Sequence, residues 1–276
     1  MKSKYLVAGL IAMFGVNSAY PESNPIYPES TPIPPESNPI TPESDTMDNI
    51  RLFDSFFQDA AIPDSPYIEG VFEYDDFNAG ALIPFGVRGG LPIFEQFDIG
   101  ASFGGIHVDP DRVDSETGVS DFTLVARYHI LEFKPVSVTA GMRFDIPTGD
   151  SDVGADTLEY EAFGAVRYPV LDKLVITGHA GLGYVEPTDD DGDFSLFLST
   201  GAIYEVNNKL HVIAEFSGDT EREVGFFDAG VDYEVIPNGR IRVAFGAGFG
   251  DDNRAPNFTF QSGFLYNFGN LNLFAR

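Results

Sequence analysis

Cysteine and tryptophan are both absent from the 276 residues, and basic side chains are scarce: 16 lysines and arginines stand against 43 aspartates and glutamates. The lack of cysteine excludes a scaffold held by disulfides. The net charge of −27 excludes nucleic-acid binding through neutralisation of phosphates. After residue 20, no apolar run approaches the roughly 20 residues that a membrane helix requires. Any membrane-spanning part beyond that point must therefore be built from strands.

The first residues have the layout of a secretory signal peptide. Lys2 and Lys4 precede an apolar run from Tyr5 to Val16, and small residues then end at Ala19. An anchored helix is the competing interpretation, but this apolar run is too short to span a bilayer comfortably. We therefore predict a signal peptide over 1–19 and export of the remaining chain.

Residues 20–46 form a proline-rich segment with a seven-residue period. Its repeats read PESNPIY, PESTPIP and PESNPIT, with prolines recurring at positions 21, 28, 35 and 42. Proline at this density excludes a helix and favours extended polyproline II. We interpret the segment as a disordered, semi-rigid spacer. The alternative is a docking tract for a periplasmic or cell-wall partner.

From residue 67 onward, apolar and polar side chains alternate. In residues 136–146, for example, Val138 and Phe144 lie on one face of an extended chain, and Arg143 and Asp145 lie on the other. Strands of about ten residues are long enough to cross a bilayer when they are tilted. Twelve segments follow this pattern: 67–75, 81–91, 96–107, 120–130, 135–146, 157–168, 173–185, 194–205, 209–217, 223–235, 240–249 and 257–268.

The connections between these segments alternate in length. Short turns such as EFK, LD and VNN follow the even-numbered segments, and longer loops follow most odd-numbered ones. Outer-membrane barrels have this arrangement, with short periplasmic turns, longer outer loops and aromatic girdles at both interfaces. We therefore predict an all-β fold: a 12-stranded antiparallel transmembrane β-barrel of the outer-membrane type over 67–276, preceded by the disordered proline-rich segment. The predicted location is the bacterial outer membrane.

Residues 47–66 separate the proline-rich segment from the predicted barrel. Ile50, Phe53, Phe57 and Ala61 recur at helical spacing, and Asp48 is suited to an N-cap. We predict a short amphipathic helix over 48–61 that lies at the barrel end or in its mouth.

Alternation assigns many polar residues to the barrel interior, because lipid does not tolerate charge near its midplane. In one interpretation, pairs of arginine and acid fill the barrel and close it. In the other, they form a polar constriction that filters solutes by charge. The predicted pore-lining residues are Arg88, Asp98, Asp121, Arg127, His129, Arg143, Asp145, Glu159, Glu161, Arg167, His179, His211, Glu215, Asp228, Asp232 and Arg242.

The predicted outer loops hold seventeen acidic residues, which makes the expected vestibule anionic and attractive to cations at low salt. One loop reads TDDDGD, which invites comparison with a calcium loop. An EF-hand loop that began at Asp189 would need glycine at its sixth position and glutamate at its twelfth. This chain has Phe194 and Thr200 there, so the sequence does not match an EF-hand loop. Solvated acid is the favoured interpretation, and weak divalent-cation binding by Asp189, Asp191 and Asp193 is the alternative.

Nothing in the sequence indicates catalysis. A barrel phospholipase needs a histidine and a serine two residues apart, whereas here the histidines begin HVD, HIL, HAG and HVI. Omptin-type proteases need paired aspartates and a His–Asp couple at the rim, and His107 is the nearest histidine to a long loop. Carboxylate pairs arise by chance in an acidic chain, so they do not argue for acid–base chemistry. We predict a protein that is not an enzyme and uses no cofactor.

Two strands and the loop between them resemble a known family. The stretch GVSDFTLVARYHI, the strand end MRFDIPTGD and the following ADTLEYEAFGAVRY are similar to the outer-membrane transporter family named for the MetA pathway of phenol degradation. The resemblance covers roughly 67–276 and implies passage of small compounds, aromatic or hydrophobic ones among them. It implies no catalytic residues. The C-terminus departs from the usual barrel ending, because LNLFAR places its aromatic residue two positions early.

Two function hypotheses follow. In the first, the protein is a passive outer-membrane channel for small solutes. In the second, it is a closed structural barrel that tethers the outer membrane to a periplasmic or cell-wall partner through the proline-rich segment. Outer-membrane lipid is a partner in both hypotheses, and nucleic acid is a partner in neither.

Overall fold

The computed structural model describes residues 46–111, 114–130, 135–150, 157–185, 193–220, 223–250 and 254–269. The predicted signal peptide and the proline repeats lie outside the described residues. Within these ranges, no helix is long and apolar enough to cross a membrane.

The described residues form thirteen antiparallel strands, each rich in the alternating pattern that suits a two-faced sheet. They are β1 (Tyr67–Phe77), β2 (Gly80–Phe94), β3 (Phe97–Pro110), β4 (Glu116–Val119), β5 (Phe122–Ile130), β6 (Ser137–Ile146), β7 (Glu159–Leu171), β8 (Leu174–Val185), β9 (Asp193–Asn207), β10 (Leu210–Asp219), β11 (Val224–Ile236), β12 (Gly239–Gly250) and β13 (Phe258–Asn267).

The sheet closes on itself. β1 pairs with β2 on one side and with β13 on the other, where Tyr67 is opposite Asn267. β4 and β5 pair with successive parts of β3 and together act as one barrel strand, interrupted at residues 120–121. The result is a closed 12-stranded antiparallel barrel, and each predicted segment overlaps an observed strand. The predicted fold class and strand number are confirmed.

The strands present an apolar face to the outside and a mixed, largely polar face to the inside. In β5, Leu124 and Tyr128 are exposed on the outer surface, whereas Val125, Arg127 and His129 are buried in the barrel. Some of the exposed outer aromatic residues lie near strand ends, as girdles do at membrane interfaces. They include Tyr128, Tyr168, Tyr204, Tyr233, Phe258 and Phe268.

The two ends of the barrel differ. One end holds Tyr67, Asn267 and the tight turns after β7, β9 and β11, and we refer to it as the short-turn end. The opposite end carries the connections after β3, β6 and β8 and is the long-loop end. In outer-membrane barrels the short turns face the periplasm, so the long-loop end is the outer one.

The segment before the first strand is folded into the barrel, and we refer to residues 47–61 as the plug. A 3-10 helix covers Thr46–Asn49, and turns follow, with the Asp59 N–H donating to the Ser55 carbonyl at 2.8 Å. The amphipathic helix predicted over 48–61 is therefore wrong beyond that first turn. The physical reason is that barrel side chains take the backbone groups that a helix would pair internally.

The apolar core of the protein lies between the plug and the barrel wall. Ile50, Leu52 and Phe53 pack against strand residues that include Ile203 and Ile213. A second cluster forms around the plug's Phe56 and Phe57 and includes Tyr67, Val125, Phe163 and Leu265 of the barrel. The helical spacing of apolar residues in the sequence thus reflects burial on several sides rather than a helix face.

Candidate functional site: the plugged lumen

Four inward-facing arginines hold the plug through its backbone carbonyls. They are Arg88, Arg127, Arg167 and Arg242, from β2, β5, β7 and β12, and all four were predicted to face the lumen. A non-helical segment buried in a barrel leaves its carbonyls without partners unless side chains supply donors. The arginine guanidinium, with five N–H donors, is suited to this role.

Arg167 and Arg127 contact the two ends of the plug. Arg167 donates to the carbonyls of Met47 and Ile50, the latter at 2.8 Å. Arg127 donates to the carbonyls of Phe57 and Asp59, at 3.2 and 3.0 Å. These two side chains thereby fix the beginning and the end of the same buried segment.

Arg242 and Arg88 contact its middle. Arg242 donates to the carbonyls of Arg51 and Leu52 at 2.6 and 2.8 Å, and Arg88 donates to the carbonyl of Phe53 at 3.3 Å. The Arg88 guanidinium also lies 3.8 Å from the centre of the Phe56 ring. Cation–π contact of this kind offsets part of the cost of burying a guanidinium.

Glu215 on β10 also binds the plug backbone, but as an acceptor. Its carboxylate accepts three successive backbone N–H groups, from Phe53 at 2.9 Å, Asp54 at 3.0 Å and Ser55 at 2.9 Å. Consecutive N–H groups that converge in this way form an anion-binding nest. Glu215 is thus matched to the N–H donors of the plug backbone, as the arginines are matched to its carbonyl acceptors.

Side chains of the plug add further contacts. The Asp59 carboxylate pairs with Arg167 at 3.1 Å, accepts the Thr177 hydroxyl at 3.1 Å and accepts the Leu52 N–H at 3.2 Å. Arg51 lies 4.5 Å from the centre of the Tyr67 ring, and burial lowers the pKa of its guanidinium. The plug is therefore bound by charge-assisted hydrogen bonds around its whole perimeter.

The arginines that hold the plug are themselves paired with strand acids. Glu69 pairs with Arg88 at 2.7 Å and with Arg242 at 3.1 Å. Asp98 pairs with Arg127 at 2.9 Å and also contacts His129. The structural interpretation of the inward charges, cross-strand pairs that fill the lumen, agrees with these contacts. It omitted the plug that the pairs surround.

Two further predicted residues lie on the inner wall near the short-turn end. Asp232 contacts Arg240 and lies 3.4 Å from Arg242. His211, which is fully buried, accepts a hydrogen bond at Nδ1 from the Arg240 guanidinium at 2.9 Å. These contacts make this end of the barrel a packed polar layer.

A polar relay crosses β7, β8 and β9 beside the plug. The His179 imidazole contacts Glu161 at 2.8 Å through Nε2 and Ser199 at 3.5 Å through Nδ1. The Ser55 hydroxyl of the plug donates to Ser199 at 2.7 Å, and Gln58 donates to Glu161 at 3.1 Å. The relay thus ends on plug side chains.

The remaining predicted residues lie nearer the long-loop end. Arg143 and Asp145, both on β6, form an ion pair at 2.9 Å, and both side chains are half-buried. Asp121 accepts the N–H groups of Thr148 and Gly149 at 3.1 and 2.9 Å, so it stabilises a loop at the rim. Glu159 is half-buried at the start of β7.

Above the plug, toward the long-loop end, lies a cavity of about 410 Å³, which we refer to as the outer cavity. Asp54, Ser55 and Gln58 of the plug form its floor. Asp228, which was predicted to face the lumen, lines it together with the aromatic ring of Phe197. The cavity thus lies on the outer side of the plug, and the apolar side chains of the plug pack against the barrel wall below it.

Sequence reasoning missed the ligands that matter most to the plug. Asp59 and Ser55 belong to a segment that was interpreted as a helix, and Arg240 was not among the predicted lumen residues. Four inward arginines on separate strands were the available signal, because each guanidinium has five N–H donors, more than one facing carboxylate accepts, and backbone carbonyls can supply the remaining acceptors. Asp189 and Asp191 of the weak divalent-cation hypothesis lie outside the described residues, as does the side chain of Asp193.

Glycine makes room for the plug at two inward positions. A Cβ on Gly100 would lie 2.6 Å from the Phe57 ring, and one on Gly201 would lie 2.5 Å from the Leu52 side chain. We expect Gly100→Val to displace the plug locally and to raise ion conductance through the refolded barrel. Gly70→Val is the matched control, because a Cβ on Gly70 meets nothing within 4 Å. Equal conductance of the two folded variants would contradict this role for Gly100.

The closed twelve-strand ring, its apolar outer surface and its polar interior define an outer-membrane β-barrel. The chain belongs to the family described as "Putative MetA-pathway of phenol degradation", whose model matches residues 71–268. The family resemblance of the sequence is thereby confirmed. A comparison with the sequences of curated proteins gives no match.

Solved structures of outer-membrane channels and porins share the fold. The COG4313 outer membrane channel from Pseudomonas putida F1 is similar with a TM-score of 0.62 at 14% identity, covering 75% of this chain and 97% of that one. The KdgM porin gives 0.52 at 14% identity, covering 73% and 99%. The NanC porin gives 0.51 at 9% identity, covering 74% and 99%.

Proposed function

We propose that the protein is an outer-membrane channel for small solutes whose lumen is closed by the plug in the conformation described here. The observation that carries the proposal is how the plug is held. Its backbone is bound by arginines and by Glu215 through hydrogen bonds that water can replace, and the outer cavity leads down to it. Membership of the family and the shared fold of channels and porins support the same conclusion.

The composition of the outer cavity bears on which solutes would pass. Carboxylates on its wall and floor favour cations over anions. Phe77, Phe197 and Phe226 line the same space and would accommodate an aromatic or hydrophobic body, as the family description suggests. The KdgM porin, by contrast, has been solved in complex with oligogalacturonate, an acidic sugar chain.

A closed structural barrel is the second candidate, and the tightly bound plug is the observation that favours it. In that case the proline-rich segment would attach the outer membrane to a periplasmic or cell-wall partner. The two candidates differ in one measurable property, because a structural barrel has no need to pass solutes.

We also propose that the barrel is not a hydrolase. Glu161, His179 and Ser199 are residue types that a serine hydrolase uses, but Ser199 is covered by Ser55 of the plug. In a hydrolase, preorganised donors would in addition be aimed at a developing oxyanion beside the serine. The relay instead serves to bind the plug.

Liposome swelling tests the channel proposal. Proteoliposomes that contain the refolded protein should take up small cationic and neutral solutes faster than protein-free liposomes, and anionic solutes of equal size more slowly than the cationic ones. Charged, neutral and aromatic solutes of matched size should be compared. Uptake equal to that of protein-free liposomes for every solute, both by the unaltered protein and by a variant whose plug is replaced with a flexible linker, would reject the channel and favour the structural barrel.

A further inference from the structure

The floor and one wall of the outer cavity carry a group of carboxylates that we refer to as the acidic cluster: Asp54, Glu73, Asp75 and Asp228. Asp54 belongs to the plug, Glu73 and Asp75 to β1, and Asp228 to β11. The cluster therefore combines the plug with two strands that are separated in the barrel by β12 and β13.

The cluster members are close to one another and share neutral donors. The Gln261 amide donates to Asp54 at 2.7 Å and to Glu73 at 3.4 Å. Thr259 donates to Asp228 at 3.0 Å, and Ser217 donates to Asp54 at 3.2 Å. These donors are neutral, so they bring no positive charge to the cluster.

Acids deeper in the barrel, unlike those of the acidic cluster, have positively charged partners. Glu69, Asp98 and Asp232 each pair with an arginine. Among the ion pairs of the described residues, by contrast, none includes a member of the acidic cluster. Arg143 and Arg254 also line the cavity, but Arg143 is paired with Asp145 at 2.9 Å and Arg254 has interactions of its own.

Asp75 provides an independent indication of a ligand. The residue is 7% exposed, and its Oδ1 atom is buried without a hydrogen-bond partner among the described residues. Buried polar atoms are nearly always paired, because an unpaired one loses the hydration it had in water. A buried acceptor that lines a cavity is a site for a donor on a bound molecule.

The surroundings favour an organic cation over a metal ion. In the described part of the chain, no group of three or more His, Asp or Glu side chains is arranged to hold a metal. Phe77, Phe197 and Phe226 line the same cavity as the cluster. Aromatic rings near a cationic site attract ammonium groups and contact apolar bodies, and a cavity of about 410 Å³ is within the usual range for a small ligand.

We propose that the outer cavity is a binding site for an organic ammonium ion that carries an aromatic or other apolar body. Its ammonium group would donate to Asp75 and its neighbours in the acidic cluster, and its body would lie against the phenylalanines. The proposal rests on the proposed channel function in that it names the class of solute that the channel would select.

Titration calorimetry on the folded, full-length protein in detergent or nanodiscs tests the site, with phenethylammonium as the probe. We expect phenethylammonium to bind at least about tenfold more tightly than the neutral isostere 2-phenylethanol, since the ion pairs are lost in the alcohol. Asp75→Asn should weaken phenethylammonium binding at least about fivefold, because the amide removes the charge at the unpaired oxygen. Asp64→Asn, an exposed acid near the start of β1, is the matched control and should leave binding unchanged.

Three results would overturn the site: equal affinity for the ammonium and the alcohol, calcium binding without phenethylammonium binding, or unchanged affinity in folded Asp75→Asn. If Asp75→Asn did not fold, the affinities of the unaltered protein for phenethylammonium and 2-phenylethanol would still decide whether the site prefers the ammonium ion. Calorimetry measures binding and swelling measures passage. Binding without solute uptake would therefore reject the channel alone, and uptake without ammonium preference would reject the site alone.

Discussion

Replacing the plug, residues 47–61, with a glycine–serine linker of equal length should raise single-channel conductance at least about tenfold, because a 12-stranded barrel is wider than the filled eight-stranded kind. The plug fills the lower lumen with the side chains of Ile50, Leu52, Phe53, Phe56 and Phe57. A flexible polar linker cannot reproduce that packing or the nest around Glu215. Planar-bilayer recording of the refolded protein measures the change.

Folding of the plug-replacement variant needs its own check, because the inner arginines lose their carbonyl partners. The cross-strand pairs of Glu69 with Arg88 and of Asp98 with Arg127 remain available, and water can enter the space. Heat-dependent gel migration and a β-sheet circular-dichroism spectrum would establish that the barrel is intact. An intact barrel with unchanged conductance would show that the plug does not close the conduction path.

The barrel was predictable because its signal is repeated in every strand. Alternation in a segment such as 136–146 sets which residue faces lipid, and the same rule applied twelve times yields the strand count. The rule depends only on neighbouring residues, since side chains alternate with a fixed period of two along a strand. The same rule places Arg127, Arg167 and Arg242 on the inner face, and these three side chains are buried.

The plug was not predictable in the same way, because its conformation is set by partners far away in the sequence. The three N–H groups that Glu215 accepts lie about 160 residues before it. Ile50, Phe53 and Phe57 have helical spacing, so a local pattern points to a helix. Only the positions of the barrel donors and acceptors, which require the closed ring, select the irregular conformation that is observed.

The outer cavity shows a third case, in which alternation gives the face of a strand that a residue occupies but not which other residues it meets. Asp228 was assigned to the lumen from alternation alone. Its proximity to Asp54 depends on the plug, and its proximity to Asp75 depends on closure of β1 against β13. Sequence alternation says which side of a wall a residue occupies, but not which residues meet across the lumen.

Glu215→Gln should loosen the plug without removing any of its atoms. The carboxylate accepts three N–H groups, and an amide offers one oxygen while directing its own N–H₂ toward those donors. Hydrogen bonds to a charged group contribute about 1.5–3 kcal/mol each. Losing one of them shifts the opening equilibrium of the plug about tenfold or more, since about 1.4 kcal/mol corresponds to a factor of ten.

Because the chain contains no cysteine, a single introduced thiol can report this opening. In an Ala60→Cys background, the thiol is fully buried inside the plug and does not line the outer cavity, so its alkylation by a maleimide requires the plug to move. We expect Glu215→Gln to raise the alkylation rate at least about tenfold. Glu205→Gln is the matched control, because Glu205 is paired only distantly, at 3.9 Å, with Lys173 near the short-turn end.

The two possible outcomes show whether the Glu215 carboxylate is needed to hold the plug in place. If Glu215 holds the plug, thiol labelling and conductance rise together in Glu215→Gln and stay at the background level in Glu205→Gln. If the four arginines hold the plug without help, the labelling rates of the two variants will be equal. That result would show that Arg167 and Arg242 hold the plug instead. Their contacts with the carbonyls of Ile50, Arg51 and Leu52 do not depend on the Glu215 carboxylate.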